Sequence, residues 1–237
     1  MEEIVSKFSR KFAIIKEEHE VVVFDKHEVG SLKSSKVFLV GKVLASKSIN
    51  KESFKRHMRN LWRPKAQVLI FYLEDDRFAF GFNSLSKRNT ILRGGPWLFN
   101  KKFLLVLAKA NNMTYPSRVP LVHQEFWIQV KGLPFCYMTR QMGKFLGNQL
   151  GKYVLTDQIR MKEQFGSILR IRVRLDIQKP LRQYVALQLD GRTLNVDIRY
   201  EKLPFTCFLC GIMDHVEDQC EKYHGLQDND YAKPYGR

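Results

Sequence analysis

The chain has 237 residues, 44% of them hydrophobic and 12% aromatic, enough to bury a sizeable core, so the chain need not be disordered. Forty Lys and Arg stand against 24 Asp and Glu, and the formal net charge of +16 favours polyanionic partners, nucleic acid first among them. No run approaches the roughly 20 apolar residues of a membrane span, so no membrane partner is expected.

The N-terminus, "MEEIVSKFSRKF", opens on two acids and lacks the apolar core of a secretion signal. An intracellular protein, nuclear or cytoplasmic, with reduced thiols is therefore expected. Residues 1–36 form a charged lead-in with one apolar run, "VVVF" (21–24), as a candidate edge strand.

From Val37 the pattern sharpens. "VFLVGKVLA" (37–45) predicts a strand, and Ser48 or Asn50 can cap the helix that follows. In that helix Phe54, Met58, Leu61 and Trp62 recur at helical spacing. Its basic residues, Lys55, Arg56, Arg59 and Arg63, read as a solvated face. "VLIFYLE" (68–74) and "RFAFGF" (77–82) predict two strands joined by a tight Asp75-Asp76 turn. A second helix stops at Gly94-Gly95-Pro96, and residues 101–110 close the unit as a strand. The order is βαββαβ, an RRM/ferredoxin-like α+β domain over 37–110 with both helices on one face.

Residues 111–125 carry two prolines and read as a linker. A second small α+β sheet unit is expected over 126–202. It contains a helix with Met142, Phe145, Leu146 and Leu150 on one face, and strands at 153–157, 167–177, 184–189 and 194–200. Asp190-Gly191 signals a hairpin between the last two strands. Residues 223–237 read as a disordered polar tail. Cys136 and the tryptophans Trp62, Trp97 and Trp127 are expected in the core.

The sharpest motif is "CFLCGIMDHVEDQC", with the spacing C-x2-C-x4-H-x4-C over Cys207, Cys210, His215 and Cys220. Zinc takes four soft or borderline ligands in a tetrahedron, and clustered cysteines in a reducing compartment point to metal before disulfide. Four protein ligands close the shell, which predicts a structural Zn²⁺ knuckle over 203–222 whose folding depends on the ion.

The lead-in "RYEKLPFTCFLCG" and the upstream order of "RFAFGF", "ILRGGPWLFNKKFLLVLAKA", "FWIQVKGLP" and "RIRVRLDIQKPL" resemble plant LINE-type retrotransposon-derived gag-like proteins. In those proteins a plant domain of unknown function precedes a CCHC zinc knuckle. The resemblance spans about residues 37–220. It implies an RRM-like gag-type domain, a nucleic-acid-binding knuckle and no enzymatic activity. This chain departs from the pattern at Asp214, where such knuckles place Gly before the His. It also ends soon after the knuckle, at "KPYGR", where relatives run on into a long polar tail.

Knuckles grip unpaired bases with exposed apolar or aromatic side chains, which singles out Phe208, Ile212 and Val216. In "LRIRVRLDI", Arg170, Arg172 and Arg174 share one face of a strand about 6.7 Å apart, a spacing suited to a phosphate backbone. Phe71, Phe78 and Phe80 supply aromatics to the first sheet, but the basic and glycine positions of an RNP consensus are not matched. "RGGPW" lacks the GK[ST] ending of a phosphate loop, and no hydrolase or metalloprotease motif occurs. The expectation is a non-enzymatic, zinc-dependent binder of single-stranded nucleic acid, RNA before DNA, with no small-molecule substrate. The alternative is a protein-interaction or self-association module with the knuckle as a structural clip.

Overall fold

The first sheet grows around β1 (Val37–Val43), whose side chains alternate between two buried faces. The coordinates are those of a computed structural model and describe residues 37–46, 48–63, 65, 67–111, 114–157, 168–223 and 233–235. The lead-in expected over 1–36, its "VVVF" strand and most of the polar tail lie outside them.

After β1 come α1 (Lys51–Trp62), β2 (Leu69–Tyr72), β3 (Arg77–Phe82), α2 (Leu85–Gly94), β4 (Trp97–Phe99) and β5 (Phe103–Ala110). Asn50 caps α1 by accepting from Ser53 N at 2.9 Å, and Ser84 caps α2 by accepting from Lys87 N at 3.3 Å. Phe54, Met58 and Trp62 recur one turn apart and are fully buried, whereas Leu61 falls between rows and is exposed. The antiparallel order is β2-β3-β1-β5-β4. Setting aside β4, this is the ferredoxin-like arrangement the βαββαβ pattern predicts. The unexpected β4 is a three-residue strand that hairpins onto β5 through Asn100 and Lys101, both at positive φ. Trp97 anchors it, its indole donating to Ile91 O at 2.8 Å.

The second sheet comprises β6 (His123–Lys131), β7 (Lys152–Thr156), β8 (Leu169–Asp176), β9 (Tyr184–Leu189) and β10 (Arg192–Tyr200), with α3 (Arg140–Leu150) between β6 and β7. Its order, β7-β8-β6-β10-β9, repeats that of the first sheet strand for strand. The copy differs in one element: residues 177–183, where α2 would fall, form no helix. β6 begins at His123, three residues inside the stretch read as linker. The Asp75-Asp76 and Asp190-Gly191 hairpins appear as expected, with all four residues at positive φ.

The α3 helix packs closely on its sheet. A Cβ at Gly143 would lie 2.6 Å from Thr156 Oγ1, and one at Gly147 would lie 2.8 Å from the Tyr153 ring. These glycines and Leu146 form the buried stripe, with Met142 and Leu150 beside it. Phe145, expected on that stripe, is exposed instead, because the helix turns Gly143 and Gly147 to the sheet, which leaves Phe145 roughly on the opposite side of the helix. Cys136 is also exposed, in a 3-10 turn after the Leu133-Pro134 bend, and not in the core.

The reverse face of the first sheet decides what that sheet can do. Leu105 and Leu107 join the helix-side core with Phe78 and Phe80, while Leu104 and Val106 join the core of the second sheet with Phe126, Ile128 and Val130. Farther along that face, Val40 and Ala110 pack with Val119. Arg77 pins the connecting chain there by donating to Pro116 O at 2.9 Å and Val119 O at 2.7 Å. The surface on which RRM sheets stack bases is thus largely covered. Of the three candidate aromatics only Phe71, on edge strand β2, is exposed.

Candidate metal centre and nucleic-acid interface

The knuckle begins where β10 ends. Cys207 N donates to Ile212 O at 2.8 Å and Gly211 N to Cys207 O at 2.9 Å, so the first two cysteines turn back on one point. Gly211 takes the positive φ, +77°, that this turn requires. Asp214, where a Gly was expected for such a role, is not among the positive-φ residues.

The candidate ligand atoms of Cys207, Cys210, His215 and Cys220 all lie within 4.8 Å of one another. Four ligands at about 2.0–2.3 Å from one ion stand about 3.3–3.8 Å apart in a tetrahedron, so the cluster fits zinc with small adjustments. The three thiols are buried. Burial pushes the Cys210 thiol up to about 12, so in the absence of an ion it stays protonated and a metal must displace that proton.

Asp214 has a role the sequence did not disclose. Its carboxylate pairs with His215 Nδ1 at 2.5 Å, while Nε2 lies 3.3 Å from Cys210 Sγ. A carboxylate on the outer nitrogen fixes the ring with Nε2 toward the ligand cluster, the usual support for a metal-binding histidine. The pairing of His with a preceding acid was the signal available in the sequence. Glu217, a second acid of the knuckle, is bridged by Lys233 at 2.6 Å.

Of the proposed base-contacting residues, Phe208 is 42% exposed and Val216 39% exposed, whereas Ile212 packs against the buried cysteines. The knuckle is also fastened to the body. Met213 is 2% exposed within the second core, Leu181 N donates to Gly211 O at 3.0 Å, and Phe205 N to Lys102 O at 2.9 Å.

The arginines of β8 share one face, opposite Ile171, Val173 and Leu175, as the alternation predicts. Their surroundings differ sharply. Arg170 makes two 2.7 Å bonds to Glu201 and one of 2.6 Å to Asp157, and its guanidinium lies 3.7 Å from the Trp127 ring centroid. Trp127 therefore serves as a stacking plate on the sheet's outer face and is not a core residue. Hydrogen bonds to Glu201 raise the Arg170 pKa above its ordinary value, with burial opposing and Asp157 reinforcing. Arg172 is buried and bonds Glu125 at 2.8 Å. Arg174 is exposed, and no acidic partner for it occurs among the described residues.

The chain carries a DUF4283 domain followed by a zinc knuckle. The domain of unknown function (DUF4283) matches residues 32–108, and a model described as a zinc knuckle matches residues 175–222. An uncharacterized protein of Arabidopsis thaliana is 27% identical over 132 residues, a match covering 55% of this chain and 41% of that relative. The chain thus spans less than half of that relative's length. Two solved structures, an Sxl-lethal protein/RNA complex and the RNA-binding domain of Hrp1 in complex with RNA, align at 12% and 11% identity. They cover 69% and 70% of this chain and 98% and 96% of theirs, with TM-scores of 0.27 and 0.24, a likeness too distant to bear on function.

Proposed function

We propose that this protein binds single-stranded nucleic acid, RNA foremost, with little sequence preference, and that it is a retrotransposon-derived gag-like protein acting inside the cell. The Cys3His cluster carries the reading: four ligand atoms gathered within 4.8 Å, with Phe208 and Val216 exposed beside them. The zinc-folded loop presents an aromatic ring for base stacking, and the net charge of +16 supplies salt-dependent attraction through counterion release. No catalysis is proposed. Of the β8 arginines, Arg174 is the phosphate contact, because Arg170 and Arg172 are engaged within the sheet.

The test is fluorescence anisotropy of a labelled polyuridine RNA of about a dozen nucleotides, titrated at several salt concentrations. Affinity should fall steeply with salt, and both Cys207→Ser and Phe208→Ala should reduce it. Stacking of one base predicts about a 5- to 150-fold loss for Phe208→Ala. No binding, or binding indifferent to salt, rejects the proposal.

A second reading, a protein-interaction or self-association module with the knuckle as a structural clip, draws on the burial of Met213 in the second core. Oligomers that persist at high salt after nuclease treatment, measured by light scattering, would favour it.

A further inference from the structure

We propose that the cleft between α2 and the outer face of the second sheet is a binding channel for the phosphate backbone of a single-stranded nucleic acid. The inference rests on the function proposed above and gives it a second site, away from the knuckle.

The cleft has a volume of about 630 Å³, within the range that encloses a ligand of nucleotide size and far too small for a duplex. Four basic side chains line it against one acid. Arg93 comes from α2, Lys109 from β5, and Arg172 and Arg174 from β8. The acid, Glu125, already bonds Arg172 at 2.8 Å. Arg93, Lys109 and Arg174 are exposed, and none has an acidic partner among the described residues. Three cations from three separate elements thus converge on one concavity without compensation, and low-dielectric walls focus their field there.

Two further features match the chemistry of a polynucleotide. Among the described residues, three buried side-chain polar atoms have no hydrogen-bond partner, and two of them belong to residues lining this cleft: Arg172 Nη2 and Gln124 Oε1. Buried polar groups are otherwise almost always satisfied. Neither atom is exposed, so a phosphate oxygen or a sugar hydroxyl reaches them only as the side chains turn toward the cleft. The remaining wall is apolar, with Leu92, Leu107 and the 40%-exposed Leu155 giving a base a dry surface to rest on.

The test compares two variants of equal net charge in the full chain. R93Q/K109Q/R174Q neutralises the cleft, and R56Q/R59Q/R63Q neutralises the solvated face of α1. The probe is the same labelled polyuridine RNA. Each phosphate contact to a single strand contributes about 0.7 to the slope of log K against log salt, so the cleft variant should lose about 2 from that slope and about a hundredfold in affinity near 0.1 M salt. The α1 variant should retain a slope close to that of the unaltered chain. In parallel, photo-crosslinking of the unaltered chain to 4-thiouridine RNA should label peptides from α2, β5 and β8.

Equal losses in both variants would reduce the effect to net charge and overturn the cleft. So would undiminished binding by the cleft variant with crosslinks confined to the knuckle, and in that outcome the proposed function would still stand. Failure of the unaltered chain to bind RNA would instead remove the function and the cleft together.

Discussion

Met213 joins the knuckle to the second core, and truncating it measures how tightly metal and fold are coupled. The side chain is 2% exposed within a cluster that includes Leu133, Leu146, Leu169 and Ile171. Met→Ala in a core costs about 2–5 kcal/mol, the lower end where the surroundings can relax into the space. Met213 sits on a loop, so about 2–3 kcal/mol is expected. For a domain of about 150–250 residues each kcal/mol shifts the Tm by about 2–4 °C, giving a fall of about 4–12 °C for Met213→Ala. The assay is thermal unfolding of the full chain by circular dichroism, with zinc and after chelation. Chelation should lower the main transition of the unaltered chain, because the loop that holds Met213 loses its fold. In Met213→Ala it should add little, since the contact is already gone and the two perturbations share one interaction. An unchanged Tm for Met213→Ala refutes the coupling. So does a separate knuckle transition on chelation with the main transition unmoved.

Asp214→Ala removes the partner of His215 Nδ1 and should weaken zinc binding about 10- to 100-fold, read by competition with a chromophoric chelator, and at a fixed excess of zinc the same factor should lower the Tm by about 3–11 °C. Gly143→Ala places a methyl 2.6 Å from Thr156 Oγ1 and 3.0 Å from Ile171. The overpacking, about 1–3 kcal/mol, should outweigh the roughly 1 kcal/mol gained in helix propensity and lower the urea midpoint. Arg170→Met strips Glu201 and Asp157 of their shared cation at positions 24% and 14% exposed. It should cost about 2–3 kcal/mol in urea unfolding, somewhat under the figure for a fully buried pair, whereas Arg174→Gln should leave stability unchanged.

Local patterns disclosed the elements and the ligand set, because each depends on residues close in sequence. Asn50 marked a cap, Asp190-Gly191 a hairpin, and the four metal ligands fall within fourteen residues. What was hidden depends on which face meets what. Arg170, Arg172 and Arg174 alternate identically in the sequence, yet only the register of β8 against β6 sets Glu125 and Trp127 beside them, and Glu201 arrives from beyond β10. Phe145 stands at helical spacing from Met142, but the face that meets the sheet is centred on Gly143, Leu146 and Gly147, roughly opposite Phe145. The purpose of the two glycines shows only against Thr156 and Tyr153. The repeated strand order was likewise invisible, since the second copy lacks one helix and shares topology without a shared motif.

The two sheets divide their surfaces in a way that bears on where a polyanion can lie. In the first, helices cover one face, and Leu104, Val106, Val119 and the connecting chain cover most of the other. In the second, α3 covers part of the inner face, and the core there also takes in Met213 of the knuckle in a unit that lacks a second helix. A knuckle used this way cannot move freely along a strand of nucleic acid, and its acids Asp214 and Asp218 further limit it as a clamp. On the outer face of the second sheet the charge is graded: Arg170 and Arg172 are neutralised near Trp127, and Arg174, at the cleft, has no acidic partner among the described residues. Evenly spaced arginines would have offered a uniform phosphate track. The pairing instead concentrates uncompensated charge at one end, so electrostatic attraction and base stacking by Phe208 fall on separate parts of the molecule.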